Sequence, residues 1–322
     1  MSKQSGLTKA NRIVVDAMGG DYAPHEVVKG AVESSTKFGI EVILVGQPEA
    51  IQGELSRYTY DSTRLRVHPA EETIGMDEDP IRAIRRKKNS SIVVGMNLVK
   101  EGEAAAFVSG GSTGAVTAGA SLLLGRKKHI SRPALGVTFD SLNGPVMLLD
   151  VGANADCKPH HLVQFAEMGN IYMGKIFNIA NPRIGLLSTG EEDFKGNKLT
   201  SSTHALLAKA DINFVGNVEG QDIPKGGADI IVTDGFTGNV VIKLAEGMGE
   251  VLMRLAGGSK NGHSVIEAAK TRVLNHTAGA LLLGVNGNVI ITHGKSNADA
   301  ITYSIYLAEQ MIEQGVTEAI GN

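Results

Sequence analysis

The chain has 322 residues, of which 42% are hydrophobic, enough for one large α/β domain or two joined lobes. The formal net charge is -3, aromatic residues make up 4% and tryptophan is absent, which argues against a basic field and broad base-stacking surfaces. We therefore expect no nucleic-acid partner. The single cysteine, Cys157, excludes a disulfide within the chain and is typical of a reducing compartment.

The N-terminal residues 1–11 are polar and contain no apolar run, so we expect a disordered start without a signal peptide. No segment reaches the roughly 20 apolar residues that a membrane-spanning helix needs. These features predict a cytoplasmic protein. Peripheral association with the inner face of the membrane stays open, because surface binding needs no spanning segment.

Short apolar runs rich in β-branched residues alternate with longer segments of helical periodicity, which predicts an α/β fold. The predicted strands are Ile13–Asp16, Glu41–Val45, Leu65–His68, Ala105–Val108, Leu135–Thr138, Val146–Asp150, Arg183–Leu187, Ile212–Val215, Asp229–Thr233 and Val289–Thr292. The predicted helices are Pro24–Phe38, Pro80–Lys100, Ser112–Leu124, His160–Ile176, Ser201–Lys209, Asn239–Leu255 and Ala298–Gln314. We expect a three-layer α/β/α architecture with a mostly parallel sheet, in one domain of two continuous lobes over residues 1–322.

Loops that follow strands are the candidate sites, because ligands of open α/β sheets bind at the carboxyl ends of the strands. Five such loops combine glycines with polar residues. They are Asp16–Pro24, Ser109–Ala115, Asp150–Pro159, Asp234–Lys243 and Gly284–Asn297. Two of them would present a helix N-terminus to an anion, so the loops indicate a ligand of phosphate size.

The Ser109–Ala115 loop (SGGSTGA) carries the clearest anion signal. It follows a strand and opens a helix, so backbone N–H groups, two hydroxyls and the helix dipole converge there. A tight turn with Ser112 as the helix N-cap explains the same residues. His293 ends an apolar strand, where a structural role is as reasonable as a catalytic one. The recurrence of polar loops at one end of the strands favours a functional site.

Nucleotide and metal motifs do not fit this chain. No G-x-G-x-x-G follows the first strand. The tripeptide Gly294–Ser296 resembles the end of a Walker motif, but Val289 stands where that motif needs its first glycine. His160 and His161 are adjacent, so they point to different faces of a helix. We expect no metal site and no cofactor.

Eight segments resemble, in order and with ordinary spacing, the phosphate acyltransferases of bacterial phospholipid synthesis. The resemblance extends from about Ile13 to about Ile305. The segments are VVDAMGGDYAP, FVSGGSTGA, SRPALGVTF, LLDVGANADCKPHHLVQFAEMG, GLLSTGEEDFKGN, FVGNVEGQDI, VTDGFTGNVVIKLAEG and LLGVNGNVIITHGKSN.

The resemblance implies transfer of an acyl group from an acyl carrier protein thioester to inorganic phosphate, which gives an acyl phosphate. It also implies a homodimer, no redox cofactor and a fold shared with isocitrate and isopropylmalate dehydrogenases. A membrane glycerol-3-phosphate acyltransferase that receives the acyl phosphate is a further expected partner. A fainter similarity extends to phosphotransacetylases, whose catalytic Ser-Arg-Gly stretch falls on Thr292, His293 and Gly294, so His293 replaces the arginine.

The loops and the resemblance together suggest two sets of site residues. The catalytic candidates are His293, Asn239 and Lys158. The candidates for binding substrate and phosphate are Gly110, Gly111, Ser112, Thr113, Asn154, Asp234, Thr237, Gly294, Lys295 and Ser296. We expect phosphate to attack the thioester directly, so Cys157 is not expected to become acylated.

Two rival functions stay open. One is an NAD-dependent decarboxylating dehydrogenase of the same fold, and the other is a non-catalytic scaffold that binds acyl carrier protein. The basic stretches Arg82–Lys88 (RAIRRKK) and Arg126–His129 (RKKH) would suit docking of an acidic carrier, although solvated helix faces have the same composition. Phosphate-dependent turnover separates the main hypothesis from both rivals.

The predicted helix Asn239–Leu255 has an apolar stripe at helical spacing. Its polar side carries two glutamates and two cations, whereas a membrane-surface helix is rich in Lys and Arg. We therefore expect the stripe to pack in the core or in a dimer interface rather than in a bilayer. The resemblance implies a longer helical arm after this helix. Here residues 256–263, around the sequence GGSKNG, predict a flexible loop in a shortened arm.

Overall fold

The computed structural model describes residues 11–257 and 279–321. These residues divide into two compact units, and each unit is built from two stretches of chain. Unit 1 contains the described residues up to Lys127 together with Val285–Thr317. Unit 2 contains the described residues of Lys128–Gly284 and those from Glu318 onward. The chain thus leaves unit 1 and returns to complete it.

Unit 1 contains five strands, and every pair of neighbours is parallel. They are β1 (Ile13–Asp16), β2 (Val42–Gly46), β3 (Leu65–Pro69), β4 (Ala106–Ser109) and β11 (Asn288–Thr292), in the order β3-β2-β1-β4-β11. In this register Val14 lies beside Phe107, and Phe107 lies beside Val289. All residues of β1, β2, β4 and β11 are buried, which explains their continuous apolar sequences.

Helices connect and cover these strands. They are α1 (His25–Phe38), α2 (Pro48–Leu55), α3 (Pro80–Arg86), α4 (Ser91–Lys100), α5 (Thr113–Gly119), which continues into a π-helical turn at Ala120–Leu124, and α9 (Ala298–Glu313). Helix α1 packs on α9, where the Thr302 hydroxyl donates to the Gly30 carbonyl at 3.2 Å. Helix α5 packs on α3 and α4. The first turn of α5 thereby has a fixed position beside the end of β4.

The helix predicted at Pro80–Lys100 is two helices, α3 and α4, separated by a short break. The amide of Val93 donates to the Ser90 hydroxyl at 3.4 Å, so Ser90 caps the start of α4. The Glu72 backbone also bonds to the break on both sides: its amide donates to Asn89 and its carbonyl accepts from Ser91, each at 3.1 Å. The cap and these tertiary bonds override the continuous apolar periodicity that favours one long helix.

Unit 2 has six strands in the order β10-β5-β6-β9-β7-β8. They are β5 (Ala134–Ser141), β6 (Gly144–Leu149), β7 (Ile184–Leu187), β8 (Phe214–Val218), β9 (Ile230–Val232) and β10 (Gly279–Leu283). Strand β5 is antiparallel to β10 and β6, and the other neighbours are parallel. The helices of this unit are α6 (Pro159–Phe177), α7 (Lys198–Leu207) and α8 (Gly235–Gly257); a short α10 (Val316–Ala319) follows α9.

The predicted mixed α/β fold with mostly parallel strands is confirmed, whereas β10, α2 and α10 were not predicted. Within residues 11–257 and 279–321, no helix combines the length and apolar content needed to cross a bilayer. Of the predicted disordered start over residues 1–11 and the predicted flexible loop over residues 256–263, residues 1–10 and 258–263 lie outside the described residues. Residues 256 and 257 are the end of helix α8, so the loop prediction is wrong for these two.

The apolar stripe of α8 corrects one expectation. The side chains of Leu244, Leu252 and Leu255 are 65%, 59% and 70% exposed in this chain. The prediction that this stripe packs in the core of the chain is therefore wrong. A contact with another molecule stays a prediction, because a row of large exposed apolar side chains on a folded protein marks an interaction surface.

Candidate functional site

Three loops of unit 1 follow neighbouring parallel strands, so they meet at the carboxyl end of its sheet. They contain residues 17–24 after β1, 110–112 after β4 and 293–297 after β11. The amide of Asp21 donates to the carbonyl oxygen of Gly294 at 2.7 Å, which joins the first loop to the third. Strand order thus brings together loops that are distant in sequence.

Gly110 lets all three loops touch. A β-carbon at this position would lie 2.9 Å from the Gly19 carbonyl oxygen and 2.9 Å from Thr292 Oγ1, so only glycine fits there. Thr292 Oγ1 is buried and lacks a hydrogen-bond partner within residues 11–257 and 279–321. A buried hydroxyl in this state is a donor that a bound anion would satisfy.

A buried carboxylate at the end of β1 organises the second loop. Asp16 Oδ2 accepts a hydrogen bond from Ser109 Oγ at 2.7 Å, and Oδ1 accepts one from the Met18 amide at 3.1 Å. Ser109 Oγ in turn accepts a hydrogen bond from the Gly111 amide at 3.0 Å. Burial raises the pKa of Asp16, and hydrogen bonds from Ser91 and Ser109 partly oppose that shift.

The predicted anion loop uses some of its donors internally. The Gly111 amide donates to the Ser109 hydroxyl, so it is not a free donor for an anion. The missing side chain of Gly111 instead lets a ligand come close to the backbone. Ser112 caps α5, because its Oγ accepts a hydrogen bond from the Ala115 amide at 3.4 Å. In the part of the chain that the structure describes, the hydroxyl hydrogen of Ser112 has no acceptor. Thr113 is exposed at the first position of the helix. The N-cap interpretation and the anion-binding interpretation are therefore compatible.

The loop after β11 fixes the tautomer of His293. The Lys295 amide donates to His293 Nδ1 at 3.1 Å, and the Ser296 amide donates to the His293 carbonyl at 2.9 Å. Since Nδ1 accepts, the neutral ring carries its hydrogen on Nε2, where it is available as a donor. The side chains of His293 and Lys295 are exposed at this end of the sheet. This loop can offer both a neutral donor and a cation to an oxygen ligand.

Unit 2 contains a second buried carboxylate, Asp150, immediately after β6. It accepts five hydrogen bonds at 2.8–3.1 Å, from the amides of Leu135, Gly152, Ala153 and Asn154 and from Asn154 Nδ2. Burial raises the pKa of Asp150, and these bonds oppose the shift. Asn154 Nδ2 also donates to the Pro133 carbonyl at 2.7 Å. The predicted site residue Asn154 is thus buried and bonded both to its own loop and to Pro133 before β5.

The loop after β9 begins α8 next to the Asp150 loop. Asp234 accepts hydrogen bonds from the Thr237 amide at 2.9 Å and from the Thr237 hydroxyl at 2.8 Å, which caps the helix. The Gly235 amide donates to the Asn154 carbonyl at 2.8 Å. Asn239, in the second turn of α8, is exposed. Asp234 and Thr237 therefore position the start of α8, while the Asn239 amide faces solvent.

Cys157 and Lys158 precede α6. Burial, followed by the charges of Asp150 and Asp234, raises the pKa of Cys157 to about 12. Its Sγ also contacts the Asn154 carbonyl at 3.7 Å. A thiol in this environment stays protonated at neutral pH and is a poor nucleophile. Lys158, by contrast, is exposed, and its ammonium group is accessible.

The structure distributes the predicted site residues between the two units. Unit 1 holds Gly110, Gly111, Ser112, Thr113, His293, Gly294, Lys295 and Ser296, and unit 2 holds Asn154, Lys158, Asp234, Thr237 and Asn239. In unit 1 the loops after β4 and β11 both contact the loop after β1, and in unit 2 the Gly235 amide bonds to the Asn154 carbonyl. No cluster of three or more His, Cys, Asp or Glu side chains suited to a metal ion occurs in the described part of the chain.

Sequence reasoning missed the residues that hold the loops. Asp16, Ser109 and Asp150 were recognised only as loop boundaries, although each is fully or almost fully buried. A signal existed: Asp16 and Asp150 each end an apolar strand directly before a glycine-containing loop. An ionisable residue that completes a buried run needs hydrogen-bond donors nearby, and loop amides supply them.

Comparison with known proteins defines the family. A model of the family described as "Fatty acid synthesis protein" matches residues 11–319. The chain is also 50% identical over 322 residues to a phosphate acyltransferase of Desulfitobacterium hafniense (strain DSM 10664 / DCB-2), which covers 96% of each chain. The chain belongs to this family of fatty acid synthesis proteins, and the resemblance to phosphate acyltransferases is confirmed.

Solved structures support the fold. A phosphotransacetylase from Streptococcus pyogenes aligns with a TM-score of 0.65 and 20% identity over 95% of both chains. A 4-hydroxythreonine-4-phosphate dehydrogenase from Klebsiella pneumoniae aligns with a TM-score of 0.55 and 12% identity over 97% of this chain and 100% of the other. At these identities the comparison concerns the mixed α/β fold alone.

Proposed function

We propose that this chain transfers an acyl group from an acyl carrier protein thioester to inorganic phosphate, as a step of phospholipid synthesis. The observation that carries the proposal is the 50% identity to a protein named phosphate acyltransferase over nearly the whole of both chains. The loops of unit 1 add a chemical reason, because they gather hydroxyl, imidazole and ammonium groups suited to an oxyanion.

The proposed reaction balances without an added cofactor. A phosphate oxygen attacks the carbonyl carbon of the thioester, and a tetrahedral oxyanion forms. The C–S bond then breaks, the acyl group stays on the phosphate oxygen, and the thiolate leaves and takes up a proton. The enzyme must bring phosphate to within about 3 Å of the carbonyl and stabilise the oxyanion. A thiolate is a good leaving group, so general-acid assistance is a small part of the catalysis.

We propose that phosphate binds in unit 1, at Gly110–Thr113 and the loop after β11. The hydroxyls of Ser112 and Thr113 would donate to it. The Thr292 hydroxyl beside Gly110, which has no hydrogen-bond partner among the described residues, is a further donor. Gly294, Lys295 and Ser296 would form the opposite side, with His293 Nε2 donating to phosphate or to the developing oxyanion. The bond from the Lys295 amide to His293 Nδ1 supports this role, because it leaves Nε2 as the donor of the neutral ring.

In unit 2 we propose different roles for exposed and buried residues. The exposed side chains of Lys158 and Asn239 would contact the substrates. Asn154, Asp234 and Thr237 make internal hydrogen bonds, so we propose that they position the loops rather than bind phosphate through their side chains. Direct attack by phosphate is supported by the protonated state of Cys157, which disfavours an acyl-cysteine intermediate.

The turnover assay also separates transfer to phosphate from two rival functions, neither of which the family membership supports. The first rival is an NAD-dependent decarboxylating dehydrogenase on this architecture, and nothing beyond the shared mixed α/β fold supports it. We also propose that the chain has three α/β/α layers and shares its fold with isocitrate and isopropylmalate dehydrogenases. A scaffold that binds acyl carrier protein without turnover is the second rival.

We also propose a homodimer in the cytoplasm, formed through the apolar stripe of α8, without a nucleic-acid partner. The stripe exposes Leu244, Met248, Leu252 and Leu255, and a second copy of the same helix would cover it. A membrane glycerol-3-phosphate acyltransferase is the proposed acceptor of the product. Association with the inner face of the membrane would then pass through that partner.

The test is a turnover assay with the purified chain, acylated acyl carrier protein and inorganic phosphate. We expect free carrier thiol to appear only when phosphate is present. After the acylated carrier is removed, hydroxylamine should trap the acyl phosphate as a hydroxamate. Reduction of NAD in place of thiol release would favour the dehydrogenase. Carrier binding without thiol release would favour the scaffold. An acyl adduct on the protein in intact-mass measurements would contradict direct attack.

A further inference from the structure

Helix α3 presents a concentrated basic face. The segment Pro80–Lys88 contains five cations and no carboxylate, although the whole chain has a net charge of -3. Arg82, Arg85 and Arg86 have the spacing i, i+3 and i+4, which places them on one side of the helix. All three are exposed. The local excess of positive charge is therefore a property of one surface and not of the chain as a whole.

Within the described residues the three guanidinium groups of this face make no close ion pair, although the charge of Arg86 contributes to the lowered pKa of Glu78. Lys87 pairs with Glu78 at 2.6 Å, but none of the three arginines lies within 4.0 Å of a carboxylate in the described residues. Asp79, the nearest carboxylate in sequence, accepts a hydrogen bond from the Arg82 backbone amide at 2.7 Å as the helix N-cap. As far as the described residues go, the arginine forks can therefore bind carboxylates of another molecule.

The same face includes an open pocket and exposed apolar side chains. The pocket has a volume of about 430 Å³ and is lined by Asp79, Ile81, Arg82, Arg85 and Arg86. Ile81 is 52% exposed, and Met76, in the preceding loop, is 56% exposed. Arginine and methionine beside an aliphatic side chain are typical of protein-protein contact surfaces.

This face adjoins the phosphate loops of unit 1. A β-carbon on Gly114, in the first turn of α5, would lie 2.8 Å from Pro80 Cγ, so the start of α3 contacts the start of α5. Met76 approaches the loop after β11, since a β-carbon on Gly294 would lie 3.5 Å from Met76 Cε. A macromolecule bound on α3 would therefore be close to the residues proposed to hold phosphate.

We infer that the exposed face of α3, with Arg82, Arg85, Arg86, Ile81 and Met76, docks an acidic acyl-carrying protein next to the phosphate loops. The inference rests on the proposed function and specifies where the donor binds. Complementary charge supports an acidic partner, because rows of free arginine forks favour carboxylate-rich surfaces. A lipid surface is disfavoured, because a seven-residue helix with two exposed apolar neighbours offers little to insert.

The test compares two double variants with the same change in net charge. Arg85→Glu with Arg86→Glu alters α3, and Lys127→Glu with Lys128→Glu alters the other basic stretch. For the α3 variant we expect KM for acylated carrier to rise about tenfold or more, because attraction becomes repulsion. We expect kcat, KM for phosphate and turnover of a small acyl-pantetheine thioester to stay within about twofold, since no group proposed to touch phosphate changes.

The control variant should keep the wild-type KM for carrier. Raising the salt concentration should raise the wild-type KM and reduce the difference between the wild type and the α3 variant. An unchanged carrier KM in the α3 variant, or an equal rise in both variants, would overturn the docking surface. The docking surface would also be overturned if the α3 variant lost binding to vesicles of phosphatidylglycerol and phosphatidylcholine while its KM for carrier stayed unchanged.

Folding and the proposed function are tested separately. If the charge reversal prevents folding, judged by circular dichroism, Arg85→Gln with Arg86→Gln gives the milder comparison, and the carrier KM should rise about threefold or more. An unchanged carrier KM in that variant would again overturn the inference. If the wild-type chain releases no carrier thiol in the presence of phosphate, the proposed function fails. Normal wild-type turnover with insensitive α3 variants rejects the docking surface alone.

Discussion

Ser109 donates its hydroxyl hydrogen to Oδ2 of Asp16 at 2.7 Å, so a buried side-chain hydrogen bond joins the ends of β4 and β1. The same hydroxyl accepts a hydrogen bond from the Gly111 amide at 3.0 Å. One small side chain therefore satisfies a carboxylate and a loop amide that are both out of contact with water. Losing it would leave two buried polar groups without that partner.

Ser109→Ala should lower the stability of unit 1. We expect the free energy of unfolding to fall by about 1–3 kcal/mol, because Asp16 and Gly111 each lose a buried partner. Urea denaturation at neutral pH, followed by circular dichroism, measures the change. The matched control is Ser56→Ala, whose exposed hydroxyl bonds only to the Gly53 carbonyl in the described residues. A control shift within about 0.5 kcal/mol is expected, and equal denaturation midpoints for wild type and Ser109→Ala would contradict the prediction.

His293→Ala should lower kcat at least about tenfold, equivalent to about 1.4 kcal/mol of transition-state stabilisation. Two further variants separate the donor Nε2 from the acceptor Nδ1. The amide nitrogen of His293→Gln can replace the Nε2 donor, whereas the oxygen of His293→Asn can replace only the acceptor for the Lys295 amide. We expect partial recovery of kcat with Gln and none with Asn, measured by phosphate-dependent thiol release.

The opposite order of the His293 variants would contradict a donor role. Full activity of His293→Asn, with the loss confined to His293→Gln, would mean that His293 only holds the loop through the Lys295 amide. Wild-type kcat in His293→Ala, with folding verified by thermal denaturation, would make the residue dispensable.

Cys157 should react slowly with iodoacetamide. Its pKa rises from 9.0 to about 12 on folding, so the thiolate fraction at pH 8 is much smaller than in the unfolded chain. We expect alkylation of native protein to be on the order of a hundredfold slower than in urea, measured by mass spectrometry. Cys157→Ser should keep most of its activity. Rapid native alkylation, or inactivation by the serine substitution, would contradict this assignment.

The raised pKa of Cys157 also makes the free energy of unfolding depend on pH. The folded thiol holds its proton more tightly than the unfolded thiol, so its contribution is fully present below pH 9.0 and is lost as the pH rises toward 12. Stability of the wild type should therefore decline more steeply over this range than that of Cys157→Ser. Denaturation midpoints at several alkaline pH values measure the difference, and parallel pH profiles would contradict it.

Leu252→Glu should weaken self-association through α8. Leu252 is 59% exposed within one chain, and a carboxylate in the proposed dimer contact would be buried without a partner. We expect the dimer Kd to rise on the order of a hundredfold, measured by sedimentation velocity. Glu250→Gln, on the same helix, is the control and should leave the dimer intact. A monomeric wild type would reject the dimer, and liposome binding that Leu252→Glu abolishes would favour a lipid contact.

The strands of unit 1 could be predicted closely from the amino-acid sequence, because buried parallel strands are apolar runs with polar ends. The prediction for β1 agrees with the structure at both ends, Ile13–Asp16. Strand β10 was missed, because the run GALLL is as compatible with a helix as with a strand. Helix α2, with the sequence PEAIQGEL, was missed because it is short and only two of its residues, Ile51 and Leu55, are buried.

The loops of the site could also be anticipated, but not the contacts between them. Asp16 and Ser109 are 93 residues apart, and they meet because β4 pairs with β1 on the side opposite β2. The order of the strands in the sheet cannot be predicted from a single amino-acid sequence. The bond from the Lys295 amide to His293 Nδ1, only two residues away, is local, and a glycine between them is compatible with such a turn.

The division of unit 1 between two stretches of chain has a consequence for biosynthesis. Strand β4 obtains its second neighbour, and Gly30 of α1 its contact with Ile301, only from residues after Val285. A ribosome releases those residues after Lys128–Gly284, so the open edge of β4 persists while that stretch of unit 2 is being made. An unpaired parallel strand edge promotes aggregation. Nascent chains that stall before Val285 are therefore the form of this protein that most needs chaperones or proteolysis.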